Sequence, residues 1–339
     1  MRHKILVTGG AGYIGSHTAL ALLQAGYDVI VIDNLSNSSK VSLERVGEIA
    51  GRNPLFIEGD LRDAALVNQI FNDHPIESVL HFAALKSVEE SVREPLRYFE
   101  NNLVSTMTLC QAMANANVFN LVFSSSAVVY GAPSIVPIAE HHPTGQTTNP
   151  YGRSKFMIEQ MLADLAEADP RWKIAILRYF NPVGAHPNGL IGEDPNGMPN
   201  NLVPYICRVA VGTLAELKIF GNDYPTADGT GVRDYIHVLD LADGHLSALD
   251  AIRKSGGTHI WNLGTGQGNS VLEVLREFED ISGRPIPYKI APRRPGDIAT
   301  CFADVSKAER ELGWKAKYTL NEMLRDAWKW QSTNPLGYK

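Results

Sequence analysis

The chain has 339 residues, 44% of them hydrophobic and 20% charged, with a formal net charge of −6; the length exceeds the roughly 250–300 residues at which a single core stops growing, so two units are expected. The acidic balance gives no basic footprint for nucleic acid, and no apolar run approaches the ~20 residues of a membrane span. Cys110, Cys207 and Cys301 are too scattered for a disulfide framework or a zinc spacing, and the N-terminus lacks the apolar region of a signal peptide, so a soluble, cytoplasmic protein without a metal is expected.

In chain order, β-rich runs at Lys4–Thr8, Asp28–Asp33, Leu55–Glu58, Ser78–Phe82, Leu121–Ser124 and Lys173–Arg178 alternate with amphipathic stretches such as Gly15–Ala25, Asp63–Asn72, Pro95–Ala116 and Tyr151–Ala168. This alternation predicts right-handed βαβ units and a mostly parallel sheet. The runs lack strict polar alternation, as expected when helices cover both faces. The character changes after Phe180: residues Asn181–Asn201 are rich in Gly, Pro and Asn and read as a long loop, of the kind that is often functional. Helices are then predicted at Leu202–Gly212, Asp240–Lys254, Val271–Ile281, Val305–Leu312 and Leu320–Trp330, and strands at Leu217–Phe220, Asp234–His237 and His259–Leu263. The expected fold is α/β: a doubly wound parallel sheet over residues 1–180, and a smaller mixed α/β substrate-binding unit over 181–339, some of whose segments can return to the first.

The first strand runs into Gly9-Gly10-Ala11-Gly12-Tyr13-Ile14-Gly15, which fits G-x-G-x-x-G between a strand and a helix. Glycine there permits tight turning and close approach of backbone to a pyrophosphate, which then sits on the helix N-terminus. This is the Rossmann-type arrangement. Asp33 ends the second strand, 18 residues after Gly15, where a carboxylate binds a ribose 2′-hydroxyl. Asn34 and Leu35 follow with no arginine to meet a 2′-phosphate, so NAD is favoured over NADP. Asp60-Leu61, Phe82 to Lys86 and the serines at 124–126 fall at the ends of the next strands, where ligands bind in such sheets.

Asn149-Pro150 predicts a helix start, which puts Tyr151 and Lys155 on one helical face. Of the twelve tyrosines only Tyr151 has a lysine four positions on. A phenol ionises near pH ~10, and reaching ~7 requires roughly 4 kcal/mol of preference for the phenolate. One positive charge at ~6 Å with an effective dielectric of ~20 supplies about 3 kcal/mol. Lys155 together with an oxidised nicotinamide is therefore expected to make Tyr151 a base, with a serine at the end of the fifth strand bonding the substrate hydroxyl.

These features resemble the extended short-chain dehydrogenase/reductase superfamily and, within it, the UDP-glucose (UDP-galactose) 4-epimerase family. The motifs are TGGAGYIGSH (8–17), DNLSNS (33–38), HFAALKSVEES (81–91), FSSSAVVYG (123–131), NPYGRSK (149–155), LRYFNPVGAHP (177–187), FGNDYPTADGTGVRDYIHVLDLADGH (220–245) and RRPGD (293–297). The resemblance implies Ser126, Tyr151 and Lys155 as catalytic residues. It implies NAD contacts at Tyr13, Ile14, Asp33, Asn34, Leu35, Ser36, Asn37, Ser38, Asp60, Leu61, Phe82, Ala83, Ala84, Leu85, Lys86, Asn101 and Phe180, beside Gly9, Gly12 and Gly15. It implies UDP-sugar contacts at Asn181, Asn201, Leu202, Lys218, Ile219, Phe220, Arg233 and Arg294 to Asp297, the arginines being natural partners of a diphosphate. The implied reaction removes a proton and a hydride at C4 of a UDP-hexose, turns the 4-keto sugar over and returns both, so NAD is regenerated at each turnover.

Cys301 stands where some relatives carry tyrosine. A small residue there resembles enzymes that also accept N-acetylated UDP-hexosamines. A 4,6-dehydratase would need an acid–base pair where this chain has Ser126-Ala127, and a net oxidoreductase would exchange its cofactor; these are the rival readings. The resemblance also implies a homodimer through helices at about Pro95–Ala116 and Tyr151–Ala168.

Overall fold

The computed structural model describes residues 3–294 and 296–339. The first half contains β1 (Lys4–Thr8), α1 (Tyr13–Gln24), β2 (Asp28–Asp33), α2 (Lys40–Ala50), β3 (Leu55–Glu58), α3 (Ala64–Asp73), β4 (Ile76–His81) and α4 (Val88–Arg93). There follow α5 (Pro95–Phe99), a π-helical turn (Glu100–Val104), α6 (Ser105–Asn115), β5 (Asn120–Ser126), α7 (Pro150–Ala168) and β6 (Lys173–Tyr179). The second half contains β7 (Asn181–Val183), α8 (Leu202–Ala210), β8 (Leu217–Phe220), β9 (Val232–Arg233), β10 (Tyr235–His237), α9 (Val238–Lys254) and β11 (Gly257–Leu263). It ends with β12 (Asn269–Ser270), α10 (Val271–Ser282), β13 (Tyr288–Ala291), β14 (Thr300–Cys301), α11 (Ser306–Leu312) and α12 (Leu320–Thr333).

One seven-stranded sheet runs in the order β11-β6-β5-β4-β1-β2-β3, with every pair parallel. Parallel pairing requires a crossover after each strand, and helices supply it. The strands are apolar throughout because both faces are covered. Ile5, Val7, Val29 and Val31 pack with α1, α2 and α9, whereas Leu6, Ile30 and Ile32 turn to α3, α6 and α7. The two-residue period of a strand thus divides one sequence between two cores, and each fully buried aliphatic contributes about 1.5–3 kcal/mol. A separate core gathers α8, α10 and α12 around β8 and β10.

Two features differ from the sequence reading. The helix expected over Pro95–Ala116 is divided by the π-helical turn, which has no periodic signature. The loop expected from Asn181 begins with β7, held by parallel pairing to β10. Beyond residue 180, β11 pairs with β6 along its whole length, while α9 packs in the same core as α1. Residues 238–263 therefore belong to the layers of the large sheet.

Because its strands are parallel, all C-terminal ends of the large sheet share one edge. The turns after β1 to β6 emerge there.

Candidate active site

In the turn after β1, Gly9 has φ of 65°, and a Cβ on it would stand 2.7 Å from the backbone nitrogen of Ala83. A Cβ on Gly15 would meet the Gly9 carbonyl oxygen at 2.3 Å. Glycine is required at both. Helix α1 begins at Tyr13 with Gly12 at its N-cap and no side chain closing it. Its first N–H groups and the positive end of its dipole are left to an incoming anion. This cradle fits a dinucleotide pyrophosphate.

Asp33 closes the second side of the cradle. Its Oδ2 accepts from the Ala11 N–H at 3.0 Å, and its Oδ1 accepts from the Leu35 N–H at 2.9 Å and the Ser38 hydroxyl at 2.8 Å. One carboxylate thereby fixes the turns after β1 and β2 and remains a hydrogen-bond acceptor at their junction. Asn34 donates to Asp60 at 3.1 Å, and the guanidinium of Arg62 holds the Asp60 carboxyl down at about 2. Ser36 and Asn37 bond Asn196 of the long loop. Leu61 is buried in the core, so what it offers a ligand is backbone.

The turn Phe82–Lys86 after β4 is held from the π-helical turn. Asn102 accepts from the Leu85 N–H at 2.8 Å and donates to the Leu85 carbonyl at 3.1 Å. The same amide donates to Ser154 of α7 at 3.0 Å, while Asn101 donates to Asn102. Lys86 forms an ion pair with Glu193 at 3.2 Å, and that carboxylate oxygen also accepts from Asn201 at 3.1 Å. A residue expected on the cofactor side and one expected on the substrate side thus share one partner.

Helix α7 starts as its sequence dictates. The Asn149 side chain accepts from the Gly152 N–H at 2.8 Å and Pro150 occupies the first turn. This sets Tyr151 one turn before Lys155, against the end of β5. Lys155 is 3% exposed and its Nζ donates to the Ser124 carbonyl at 2.6 Å. Burial pulls its ammonium down to about 7, with the Glu159 carboxylate opposing. Tyr151 is half-buried; desolvation of its hydroxyl pushes the phenol up to about 12, with a hydrogen bond from Ser126 opposing. The sequence reading expects Lys155 together with an oxidised nicotinamide to lower this phenol. Among the protein's own groups burial outweighs the Ser126 hydrogen bond, and they alone leave the phenol protonated. Tyr179 donates to the Ser124 hydroxyl and adds a second buried phenol beside the first.

The substrate-side residues gather around β9 and β14. Arg233 and Cys301 are register partners there, and the Asn181 N–H bonds the Asp234 carbonyl at 2.9 Å. The Arg294 guanidinium lies 4.5 Å from the Phe220 ring and 3.1 Å from Asp297. Tyr224 feels the charges of Asp297, Arg293, Arg233 and Arg294 together. Pro295, within the expected 294–297 contact, lies outside the described residues. Cys301 packs on the cluster of Ala127, Val129, Tyr130 and Phe180, which joins this side to Ser126. Lys218 is exposed, whereas Ile219 is 1% exposed and Leu202 packs on the second core, so those two side chains serve the fold. Leu202 follows Asn201, the N-cap of α8.

Sequence reasoning missed Asp234, Glu193 and the Glu159–Arg178 pair. Asp234 is fully buried and accepts from the backbone of Thr265, Gly266 and Ala303, tying three substrate-side loops together. A charged residue inside an otherwise apolar strand, as Arg178 is in Lys173–Tyr179, and a third polar residue in the 151, 155, 159 series were the available signals. Among the described residues no group of His, Cys, Asp and Glu is arranged to hold a metal.

Residues 5–264 match the model of the NAD dependent epimerase/dehydratase family. The chain is 60% identical over 335 residues to UDP-glucose 4-epimerase of Bacillus subtilis, covering 99% of this chain and 98% of that one. Among solved structures it resembles UDP-glucose 4-epimerase of Bifidobacterium longum in complex with NAD+ and UDP, at 56% identity and a TM-score of 0.96, over 98% and 99% of the two chains. It also resembles the UDP-Glc/GlcNAc 4-epimerase of Campylobacter jejuni, at 39% identity and a TM-score of 0.85, over 98% and 99%. The open glycine cradle, the carboxylate at its side and the Tyr-Lys helix against β5 agree with this match over the same residues, and the chain belongs to the NAD dependent epimerase/dehydratase family.

Proposed function

We propose that this chain is an isomerase that interconverts UDP-galactose and UDP-glucose at C4 through a transient 4-keto sugar, using tightly held NAD. One observation carries the reading: the 60% identity to an enzyme of that name runs over 335 residues and so spans both sides of the site. When bound, NAD would supply the hydride acceptor and donor for C4, with no net redox change.

The chain's own residues do the rest. Gly9, Gly12, Gly15 and the start of α1 hold the pyrophosphate, and Asp33 takes the ribose hydroxyl. Arg233 and Arg294 hold the UDP diphosphate, with Asn181, Asn201 and Phe220 around the remaining nucleotide. Ser126 bonds the sugar 4-hydroxyl and Tyr151 takes its proton, then returns it to the opposite face. Burial pushes the Tyr151 phenol up to about 12, so positive charge beside it favours its taking the role of base. Lys155 orients the pair through the Ser124 carbonyl. Ser126-Ala127 offers no acid to expel a 6-hydroxyl, which disfavours a dehydratase.

Cys301 stands where some relatives carry the larger tyrosine, and we include UDP-N-acetylhexosamines among the substrates. The similarity to the Campylobacter jejuni UDP-Glc/GlcNAc 4-epimerase supports this. We further propose a cytoplasmic homodimer. Val92, Leu96 and Met107 expose 62%, 80% and 57% of their surface along α4 to α6, and Met157 exposes 43% on α7, an apolar patch that a second copy would cover. The three cysteines are unpaired, as suits a reducing compartment. No helix among the described residues is long and apolar enough to cross a membrane.

Incubation of the purified protein with UDP-galactose and with UDP-N-acetylgalactosamine, without added cofactor, tests this reading. Formation of the gluco epimers with no accumulating NADH is expected. Steady NADH production, or a dehydrated product, would overturn it.

A further inference from the structure

Beneath the proton-transfer pair lies a polar network to which no step has been given. Glu159 follows Lys155 by one helical turn, so Tyr151, Lys155 and Glu159 share a face of α7. Glu159 and Arg178 are 2% and 4% exposed at their side chains and meet at 2.6 Å. The contact is forked: Arg178 Nη2 donates to Oε2, and Nε lies 3.0 Å from Oε1. Oε1 also accepts from the Ser125 hydroxyl at 2.5 Å. Arg178 Nη1 donates to Tyr130 at 3.0 Å and to the Glu140 carbonyl at 3.2 Å, and Tyr130 in turn donates to Asn262.

The placement is specific. Ser125 and Arg178 are register partners on β5 and β6, and both face α7. Ser125 separates Ser124, whose carbonyl receives Lys155, from Ser126, which bonds Tyr151. One carboxylate therefore fixes the strand end that carries both contacts, from the helix that carries both reacting side chains. A buried ion pair is poor evidence of stabilisation, since well-packed apolar residues of the same volume commonly do as well. Packing alone does not account for a charge at this point.

We propose that Glu159, clamped by Arg178, is a positioning residue for proton transfer, fixing the Ser124–Ser126 segment against the helix that carries Tyr151 and Lys155. This rests on the reading of Tyr151 and Lys155 as the reacting pair. The groups around Lys155 are Tyr151 and Glu159 on its own helix, the Phe123 ring and Ser124 carbonyl of β5, and His81 of β4, whose protonation its charge opposes; Tyr179 of β6 faces Tyr151. Among these, Glu159 is the carboxylate that favours the charged lysine.

The test compares wild type, Tyr151→Phe, Glu159→Gln and the double variant Glu159→Gln/Arg178→Met for kcat, KM, pH profile and thermal midpoint, with UDP-galactose. Glu159→Gln is expected to lower kcat roughly tenfold or more, as small misplacements at a reacting centre do, with KM little changed. The alkaline limb of kcat, where Lys155 loses its proton, should move down by about one pH unit as an opposing charge is removed. The double variant, free of an unpaired buried charge, should recover thermal stability but not kcat. Recovery of kcat along with stability, or an unshifted limb with kcat within about twofold of wild type, would reduce the pair to packing and overturn the proposal. If Glu159→Gln does not fold, the double variant alone decides. Wild type that fails to turn over UDP-galactose would remove the reading and this inference together. An inactive Tyr151→Phe beside a fully active Glu159→Gln would remove this inference only.

Discussion

The ammonium of Lys155 lies 2.6 Å from the Ser124 carbonyl oxygen and 4.8 Å from the centroid of the Phe123 ring. It is one of the few charged groups sealed into the large sheet's layers, and burial pulls it down to about 7. The folded value lies below the unfolded one, so between about pH 7 and the ordinary lysine range the unfolded chain holds a proton that the folded chain gives up. Stability from this group is therefore lost as pH falls through that window. Lys155→Met should make the protein more stable at pH 7.5, on the order of 1–3 kcal/mol after its lost contacts are discounted. Turnover should drop roughly 100-fold or more. Urea denaturation and rate measurements check both; a variant less stable and still active would contradict the account.

Asp33 accepts from Ala11, Leu35 and Ser38 across two turns. Asn at this position offers one acceptor oxygen and presents an amide to the other donors, which leaves a buried donor unpaired at a cost of about 1–3 kcal/mol. Asp33→Asn is expected to weaken NAD retention about tenfold or more. Nucleotide released from the purified protein on denaturation measures this, and an unchanged content would count against the role of Asp33.

Cys301 is half-buried on β14, opposite Arg233 and against the Phe180 cluster. Cys301→Tyr fills that space. Activity on UDP-galactose should stay within a few-fold, whereas turnover of UDP-N-acetylgalactosamine should fall by roughly 10–200-fold, the range for one added steric conflict in a pocket. Competition of the two substrates in one tube gives the ratio; an unaltered ratio would show that Cys301 does not set sugar size.

Three histidines are buried without charge. Desolvation pulls His17 and His81 down to about 3 and His245 down to about 4, the Lys155 charge adding to the effect on His81. Below the ordinary value of 6.5 the unfolded chain takes up these protons and the folded chain does not, so stability falls with pH over about 6.5 to 4. Each costs about 1.4 kcal/mol per pH unit in that range, or roughly 4 kcal/mol per unit for the three. The urea midpoint should drop steeply between pH 7 and 5. A midpoint constant over that range would refute the assignment.

Much of this was legible in the sequence because it was written locally. The apolar runs gave the strands of the large sheet to within a residue or two, and the glycine turn and Asn149-Pro150 placed the starts of α1 and α7 to within two residues. What was not legible depends on distant pairing. The two-residue strands β9, β12 and β14 have no periodicity to read and exist only through one another. The π-helical turn that aims Asn102 at Leu85 leaves no mark in an amphipathic stretch. Spacing puts Lys155 on the face of Tyr151 but does not tell that the ammonium turns to Ser124.

The central claim is that Tyr151 carries the proton. Tyr151→Phe removes one hydroxyl whose partner is Ser126, and should leave the fold and bound nucleotide intact. Its kcat for conversion of UDP-galactose to UDP-glucose is expected to fall by about 10²–10⁴-fold. A kcat within threefold of wild type, with the same nucleotide content, would contradict the account.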